Sequence, residues 1–397
     1  MEICKDTQRS VLTIVLEGRI DSNNAPQAEQ EILSALSENP GLEPVFDAAA
    51  LEYISSAGLR VLMKARKAAG KPLRVENVSR EVYEIFDVTG FTDLLDVKKA
   101  LRELSVEGCE MIGRGGFGTV YRIDPETVVK VYREGMSLEQ LEEEKRHATA
   151  AFVHGIPTAI SFDTVKVGSC YGNVYELLDA VSVGKAVTAD PSRAEELGRK
   201  MGRLFQQLHE TEMEPGSLPR MSDKVRGWID YLEEKHLSSE DAALMRQVAD
   251  AIPEKNTLIH GDFHEGNVLL QKGELMLIDL DDVCMGNPVY DLVAHHALHR
   301  TTARDVAMLS LNLEPEMVPV LADYARREFL GTEDPAALER FCQTMELIYP
   351  FRVILYIAMA REASVMTEER VNIIKTHVLP AFRKLAPMMV QAMGQFR

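Results

Sequence analysis

Residues 11–16, VLTIVL, make a short β-branched run, and the Asn, Ser and Pro residues of GRIDSNNAPQ just after it suit a turn and a helix start. The pattern then predicts a helix from about Ala25 to Leu36, a buried strand near Val45–Phe46, and a turn around Ser55–Ser56. An amphipathic helix to about Ala69, a strand at Leu73–Val75 and a helix near Val82–Phe86 complete it. This alternation of strand and helix is that of an α/β sandwich of about 100 residues.

A second pattern begins near Cys109. Glycine-rich residues 113–118 lead into short strands, the acidic stretch Leu138–Phe152 reads as a helix, and Gly155-Ile156-Pro157 stops it. Ser192–His209 is helical again, 258–291 alternates strand and loop, and helices dominate from Val293 onward. There is no internal repeat or low-complexity tract, so the boundary falls near 99–108 with a short linker. At 397 residues the chain exceeds what one growing core supports, and the expected division is 1–103 and 104–397, the latter split into lobes at about 104–178 and 179–397.

Composition narrows the partners. Apolar residues at 46% and charged residues at 27% are ordinary globular usage. A net charge of −18 opposes polyanions, so nucleic acid and anionic membrane surfaces are not expected partners. Residues 1–100 hold 12 basic and 16 acidic side chains, a balance of −4, which leaves −14 to the rest. The five cysteines (Cys4, Cys109, Cys170, Cys284, Cys342) have neither disulfide-framework nor zinc spacing. No apolar stretch is long enough for a membrane span, and a soluble, cytoplasmic protein is the expectation.

Candidate chemistry lies in the second pattern. Ile112-Gly113-Arg114-Gly115-Gly116-Phe117-Gly118-Thr119-Val120-Tyr121 fits a glycine-rich phosphate hairpin, GxGxxGxV, where backbone amides approach phosphates without a Cβ in the way. A dinucleotide fold would run from the glycines into a helix. Here Tyr121–Ile123 and Thr127–Tyr132 instead read as paired strands around Asp124-Pro125-Glu126, with Lys130 inside the second. Lys130 would contact the α- and β-phosphates, held by an acid of the next helix, Glu144 or its neighbour Glu143.

In Leu258-Ile259-His260-Gly261-Asp262-Phe263-His264-Glu265-Gly266-Asn267, a carboxylate and a carboxamide stand five residues apart between apolar runs. That spacing lets Asp262 orient or deprotonate an attacking hydroxyl while Asn267 ligates magnesium. Asp279, closing Met276-Leu277-Ile278-Asp279, supplies a second carboxylate at the end of a predicted strand, where it can bind the metal. Asp281 and Asp282 add acid that could bind a cationic substrate, help hold metal or face solvent. His295 and His299 sit at i and i+4 but lack the acid of a metalloprotease helix, so core or surface roles are expected for them and for His296.

HGDFHEGN followed by LIDLDD and NPVYDL resembles the aminoglycoside phosphotransferase and choline kinase branch of the protein-kinase-like superfamily, over roughly residues 108–385. The resemblance implies an α+β two-lobed fold with a mostly helical C-lobe, ATP and magnesium dependence, Asp262 as catalytic base, and Asn267 with Asp279 as metal ligands. Lys130 and Glu144 complete the implied catalytic set. Gly113, Gly115, Gly116, Phe117, Gly118, Val120 and Lys130 would contact nucleotide, and Val174-Tyr175-Glu176-Leu177-Leu178 would form the hinge, with Glu176 and Leu178 receiving adenine. It also implies that His260 supports the loop and that Asp291 is a structural acid beginning the next helix. The segment between Asp279 and Asp291 is too short for a protein kinase activation segment, which favours a small, in one reading cationic, hydroxyl acceptor.

Leu16-Glu17-Gly18-Arg19-Ile20-Asp21, Phe46-Asp47, Leu51-Glu52-Tyr53-Ile54-Ser55-Ser56-Ala57-Gly58-Leu59 and Val88-Thr89-Gly90-Phe91 resemble the STAS domain of anti-sigma-factor antagonists over about residues 8–100. That family implies a protein partner and makes Ser56 a candidate phosphosite at a helix start, where exposed amides favour a phosphate. Ser56 is alternatively a plain N-cap. The functional readings are therefore an ATP- and Mg-dependent phosphotransferase with a STAS-like regulatory module, a protein kinase acting on a STAS serine such as Ser56, or a non-catalytic nucleotide-sensing scaffold.

Overall fold

The computed structural model describes residues 2–6, 11–114, 118–300, 307–360 and 366–394. It divides into two compact units, Met1–Leu104 and Ser105–Arg397.

In the first unit, β1 (Glu2–Asp6), β2 (Val11–Ile20), β3 (Glu43–Ile54), β4 (Arg74–Val78) and β5 (Asp96–Lys99) form one sheet in that order. β1 runs antiparallel to β2 and the remaining pairs are parallel. In β2 every second residue, Leu12, Ile14 and Leu16, is buried, the period-2 signature of a strand with one covered face. That face packs on α1 (Ala25–Glu38), α2 (Ser56–Ala69) and α3 (Arg80–Val88), whose Ile32, Leu59, Leu62 and Phe86 enter the same core. Lys64 of α2 pairs with Glu29 of α1 at 2.6 Å. The sequence pattern missed β1 and β5, which are short and carry charge at alternate or adjacent positions. A two-residue strand, β6 (Arg102–Glu103), follows.

The second unit opens with antiparallel β7 (Glu110–Arg114), β8 (Gly118–Arg122) and β9 (Thr127–Tyr132), continued by β11 (Cys170–Glu176) and β10 (Asp163–Val167) in the order β7-β8-β9-β11-β10. Gly118 is required by packing, because a Cβ there would stand 2.4 Å from the Val131 carbonyl oxygen on the neighbouring strand. α4 (Leu138–Val153) starts at a capping box in which Ser137 and Gln140 satisfy one another's backbone amides.

Helices dominate the remainder. α5 (Val183–Ala189), α6 (Ala194–Glu210), α7 (Met221–Lys235), α8 (Ser239–Asp250), α9 (Val289–Arg300), α10 (Val318–Leu330), α11 (Pro335–Met359), α12 (Glu368–Ile373) and α13 (Leu379–Met393) surround a core that includes Leu197, Leu208, Ile229, Ile348 and Phe382. Between α8 and α9 lie four short strands or strand partners of the site: β13 (Leu258–Ile259), β14 (Val268–Gln271), β15 (Glu274–Leu277) and β16 (Cys284–Met285), with β12 (Val181–Ser182) pairing to β14. α9 begins at Val289, one turn before the sequence pattern turns helical, so Asp291 lies in its first turn.

Candidate active site

Two loops carry the acids. The first runs from β13 to β14 and holds His260 to Asn267; the second follows β15 and holds Asp279 to Asp282. Gly261 has φ +85°, and a Cβ would meet the Asp282 Cβ at 2.8 Å, so this position needs glycine on both counts. The loops are stitched together by the Ile278 N–H, which donates to the Asn267 carbonyl at 3.0 Å, while the Asn267 side-chain NH2 donates to the Asp262 carbonyl at 3.0 Å. The second bond closes the first loop on itself and leaves Asn267 Oδ1 as an available acceptor.

Beneath the first loop, the buried Asp291 carboxylate accepts the His260 and Gly261 N–H groups, both at 2.8 Å, and lies 3.1 Å from His209 Nε2. His260 is itself fully buried and its Nδ1 accepts the Asp262 N–H at 3.3 Å. Asp262 is left with its side chain 59% exposed, 3.7 Å from His264 Nε2. Desolvation would raise its pKa; the neighbouring His264, then the charges of His260 and Arg352, outweigh that and hold the carboxyl below its ordinary value.

Lys130 reaches the second loop from β9. Its Nζ lies 2.8 Å from Asp279 Oδ1, 2.8 Å from Asp281 Oδ2 and 3.3 Å from Glu144 Oε1. Glu144 is buried on α4 and also accepts the Tyr132 hydroxyl, which in turn accepts from Asn173. Glu143 instead faces solvent and pairs with Arg146. Burial alone would lower the Lys130 pKa, but Asp281, Asp279 and Glu144 together hold it well above the ordinary lysine value.

Three acids around one ammonium leave a surplus of negative charge, and it falls on the more buried aspartate. Burial first, and then the Asp279 charge, push the Asp281 carboxyl well up. Asp279, 41% exposed, is held below its ordinary value because the Lys130 charge outweighs its desolvation. Asp279 also has φ +62°, a left-handed conformation that non-glycine residues adopt rarely and that aims its carboxylate at Lys130. Asn267 Oδ1 and the ionised Asp279 are hard oxygen donors of the kind magnesium takes, so these two residues fit the ion.

The other residues singled out in the sequence distribute as follows. Val120 stands opposite Lys130 in the β8–β9 register, and Gly113 opposite Val120. Gly115, Gly116 and Phe117 lie outside the described residues. Glu176 ends β11, and the next N–H, of Leu177, donates to Glu126 at 2.7 Å; Leu178 is half-buried beyond it. Ser56 is the exposed first residue of α2, whereas the N-cap is Ser55, whose hydroxyl accepts the Ala57 and Gly58 N–H groups at 3.2 and 3.4 Å. The N-cap alternative for Ser56 is thereby corrected. Asp281, whose sequence readings were substrate, metal or solvent, lies against the Lys130 ammonium at 2.8 Å; Asp282 pairs with Lys224 at 3.3 Å. No adjacent motif signals either pairing.

Residues 112–337 match the model of the phosphotransferase enzyme family, more than half of the chain. The chain belongs to that family. Residues 3–96 match the Mlab, STAS domain model, so a STAS domain precedes the phosphotransferase-family region. A Salmonella typhimurium relative named serine/threonine protein kinase RdoA is 31% identical over 187 residues, 42% of this chain and 54% of that protein; the chain thus spans about half the length of such curated relatives. A candidate anti-sigma factor antagonist, BtrV of Bordetella bronchiseptica, is 34% identical over 101 residues, 24% of this chain and 85% of that protein. Among solved structures, a choline/ethanolamine kinase family protein from Mesorhizobium loti aligns at 13% identity with a TM-score of 0.46, over 72% of this chain and 92% of its own. Among the described residues no helix is long and apolar enough to cross a membrane.

Proposed function

We propose that residues 104–397 transfer the γ-phosphoryl group of ATP to a hydroxyl, with Asp262 accepting the hydroxyl proton. The observation that carries this reading is the meeting of Lys130 from β9 with Asp279 at 2.8 Å, in a loop that is itself bonded to the Asp262–Asn267 loop. Residues far apart in sequence supply a cation for phosphate, a carboxylate open to an incoming group and two oxygen donors for a metal. Lys130, steadied by Glu144, orients the α- and β-phosphates; strands β7 and β8 cover them; Glu176 and Leu178 supply backbone groups to adenine. Asn267 and Asp279 would hold magnesium, which when bound screens the phosphate charge. Asp262, kept ionised by His264, takes the proton as the hydroxyl attacks in line.

His260, His264 and Arg352 all bear on Asp262 electrostatically, so the site next to the acid does not specially favour a cationic acceptor. A protein hydroxyl is the second reading. It is supported by the exposure of Ser56 at the first position of α2, the positive end of that helix, and by the similarity to a relative named serine/threonine protein kinase RdoA. On either reading the STAS domain is a regulatory module that binds a protein partner.

The test is ATP turnover with magnesium by the full chain and by Asp262→Asn, with mapping of phosphorylated residues. Loss of a general base predicts a fall of about 10²–10⁴-fold. Phosphate on Ser56 in the wild type but not in the variant selects the protein acceptor. Turnover equal in the two proteins makes the second unit a nucleotide-sensing scaffold and sinks the catalytic assignment.

A further inference from the structure

Glu265, in the loop between Asp262 and Asn267, faces the histidine pair of α9. One ligand-capable atom from each of Glu265, His295 and His299 lies within 4.8 Å of the others. His299 Nε2 is 2.6 Å from Glu265 Oε1, and His299 Nδ1 is 2.6 Å from the His295 carbonyl oxygen one turn back. Glu265 is only 1% exposed, yet its Oε2 has no hydrogen-bond partner among the described residues; neither has His295 Nε2, also closed to solvent. Folded proteins rarely leave buried polar atoms unpaired, and two within one cluster ask for a common explanation.

We propose that Glu265, His295 and His299 bind one divalent transition-metal cation of the zinc class, at a site separate from Asn267 and Asp279. Two imidazoles and one carboxylate form a borderline-soft set that zinc takes readily, whereas magnesium prefers oxygen donors alone. Spacing of i and i+4 places both imidazoles on one face of α9. The bond from His299 Nδ1–H to the His295 carbonyl leaves Nε2 as the ring's donor atom, the outer-shell arrangement that orients most metal-binding histidines. The unpaired Glu265 and His295 atoms then become ligands. A cavity of about 30 Å³ bordered by Phe205, Phe263, His295, His296 and His299 has room for one water as the fourth ligand. Loading needs a small adjustment: the 2.6 Å contact between Glu265 and His299 must open to about 3.3 Å, the edge of a tetrahedron with ~2.0 Å bonds. The bound ion would tie the Asp262–Asn267 loop to α9.

The full chain, stripped with chelator, is titrated calorimetrically with Zn²⁺ alone, without nucleotide, so that the outcome is independent of phosphoryl transfer. One equivalent per chain is expected, and Co²⁺ in its place should give the visible absorption bands of a tetrahedral site. His295→Gln and His299→Gln should each weaken binding at least ~100-fold, the upper range for loss of an outer-shell partner alone. Asp279→Asn and the exposed His377→Gln should bind as wild type does. Absence of a stoichiometric site, or binding that survives both α9 substitutions, overturns the proposal and leaves Glu265 and His299 as a hydrogen-bonded pair. Should the glutamine variants fail to fold, the wild-type cobalt spectrum decides: no tetrahedral bands, no site.

Discussion

Asp291→Ala removes the anchor of the loop that carries Asp262 without touching the acid itself. The carboxylate is 1% exposed and accepts two backbone N–H groups at 2.8 Å, with His209 Nε2 at 3.1 Å. A hydrogen bond to a charged group contributes about 1.5–3 kcal/mol. Three such contacts share one carboxylate and do not add, so the nearer guide is a buried pair broken from one side, which costs about 3–5 kcal/mol. Denaturant unfolding followed by fluorescence measures the loss cleanly, because Trp228, the single tryptophan of the chain, lies on α7 and reports on the second unit. The pH dependence gives an independent check. Burial would raise the Asp291 pKa, but the His209 bond and charge and the His260 N–H outweigh it, so the folded-state value is depressed. Its stabilisation is therefore present above the unfolded-state pKa of about 3.9 and is lost as pH falls through the lower folded value. The gap between wild type and Asp291→Ala should narrow in acid below about pH 4. Turnover should drop as well, since the loop is freed one residue before Asp262. A loss under about 1 kcal/mol, or a gap that widens on acidification, would refute the anchoring role.

The two aspartates on Lys130 should behave oppositely. Asp279→Asn is expected to raise the magnesium concentration needed for half-maximal turnover by about tenfold or more, roughly 1.4 kcal/mol of ion binding, whereas Asp281→Asn should stay within about 1 kcal/mol of wild-type stability at pH 7, because an acid with a raised folded-state pKa subtracts stability once pH passes its unfolded value; a severe loss in Asp281→Asn counts against the charge surplus. In the first unit, Ser55→Ala should destabilise α2 by about 1 kcal/mol and Ser56→Ala by close to nothing, read as hydrogen exchange across residues 56–69 in the full chain, and the reverse order would move the cap to Ser56.

What the sequence disclosed was whatever is written in short-range periodicity or fixed spacing. The β-branched run VLTIVL marks β2, and the five-residue interval from Asp262 to Asn267 marks a loop that folds back on itself, as the Asn267 bond to the Asp262 carbonyl does. α7 and α8 are absent from the elements the pattern predicts, although Val225, Ile229 and Leu232 follow helical spacing and Ser238 caps α8. Contacts between elements were hidden for a reason of their own. Glu265 meets His299 from 34 residues away, and Asp281 meets Lys130 across 151; such pairings are set by how loops pack on helices and strands, and no local pattern encodes them. The histidines at i and i+4 lack the acid of a metalloprotease helix, and the acid that meets His299 comes from the loop.

Burial also explains why three acids in one short stretch, Asp279, Asp281 and Asp282, take three different jobs. The three side chains sit in different surroundings, 41%, 18% and 46% exposed for Asp279, Asp281 and Asp282, and desolvation raises a carboxyl pKa most where exposure is least. Asp279 stays partly open and ionised against Lys130, free to exchange that partner for another cation. Asp281, nearly closed off on the same ammonium, absorbs the surplus charge by resisting ionisation, which spares Asp279 from having to do so. Asp282 turns the other way, toward Lys224 on α7, and its backbone carbonyl accepts from the same Nζ at 3.1 Å. The second loop is thereby held at both ends by lysines from different elements, Lys130 of β9 and Lys224 of α7. Asp279, partly open and held ionised, directly follows Ile278, whose N–H is bonded to Asn267, and so stands where a divalent cation would draw most from it.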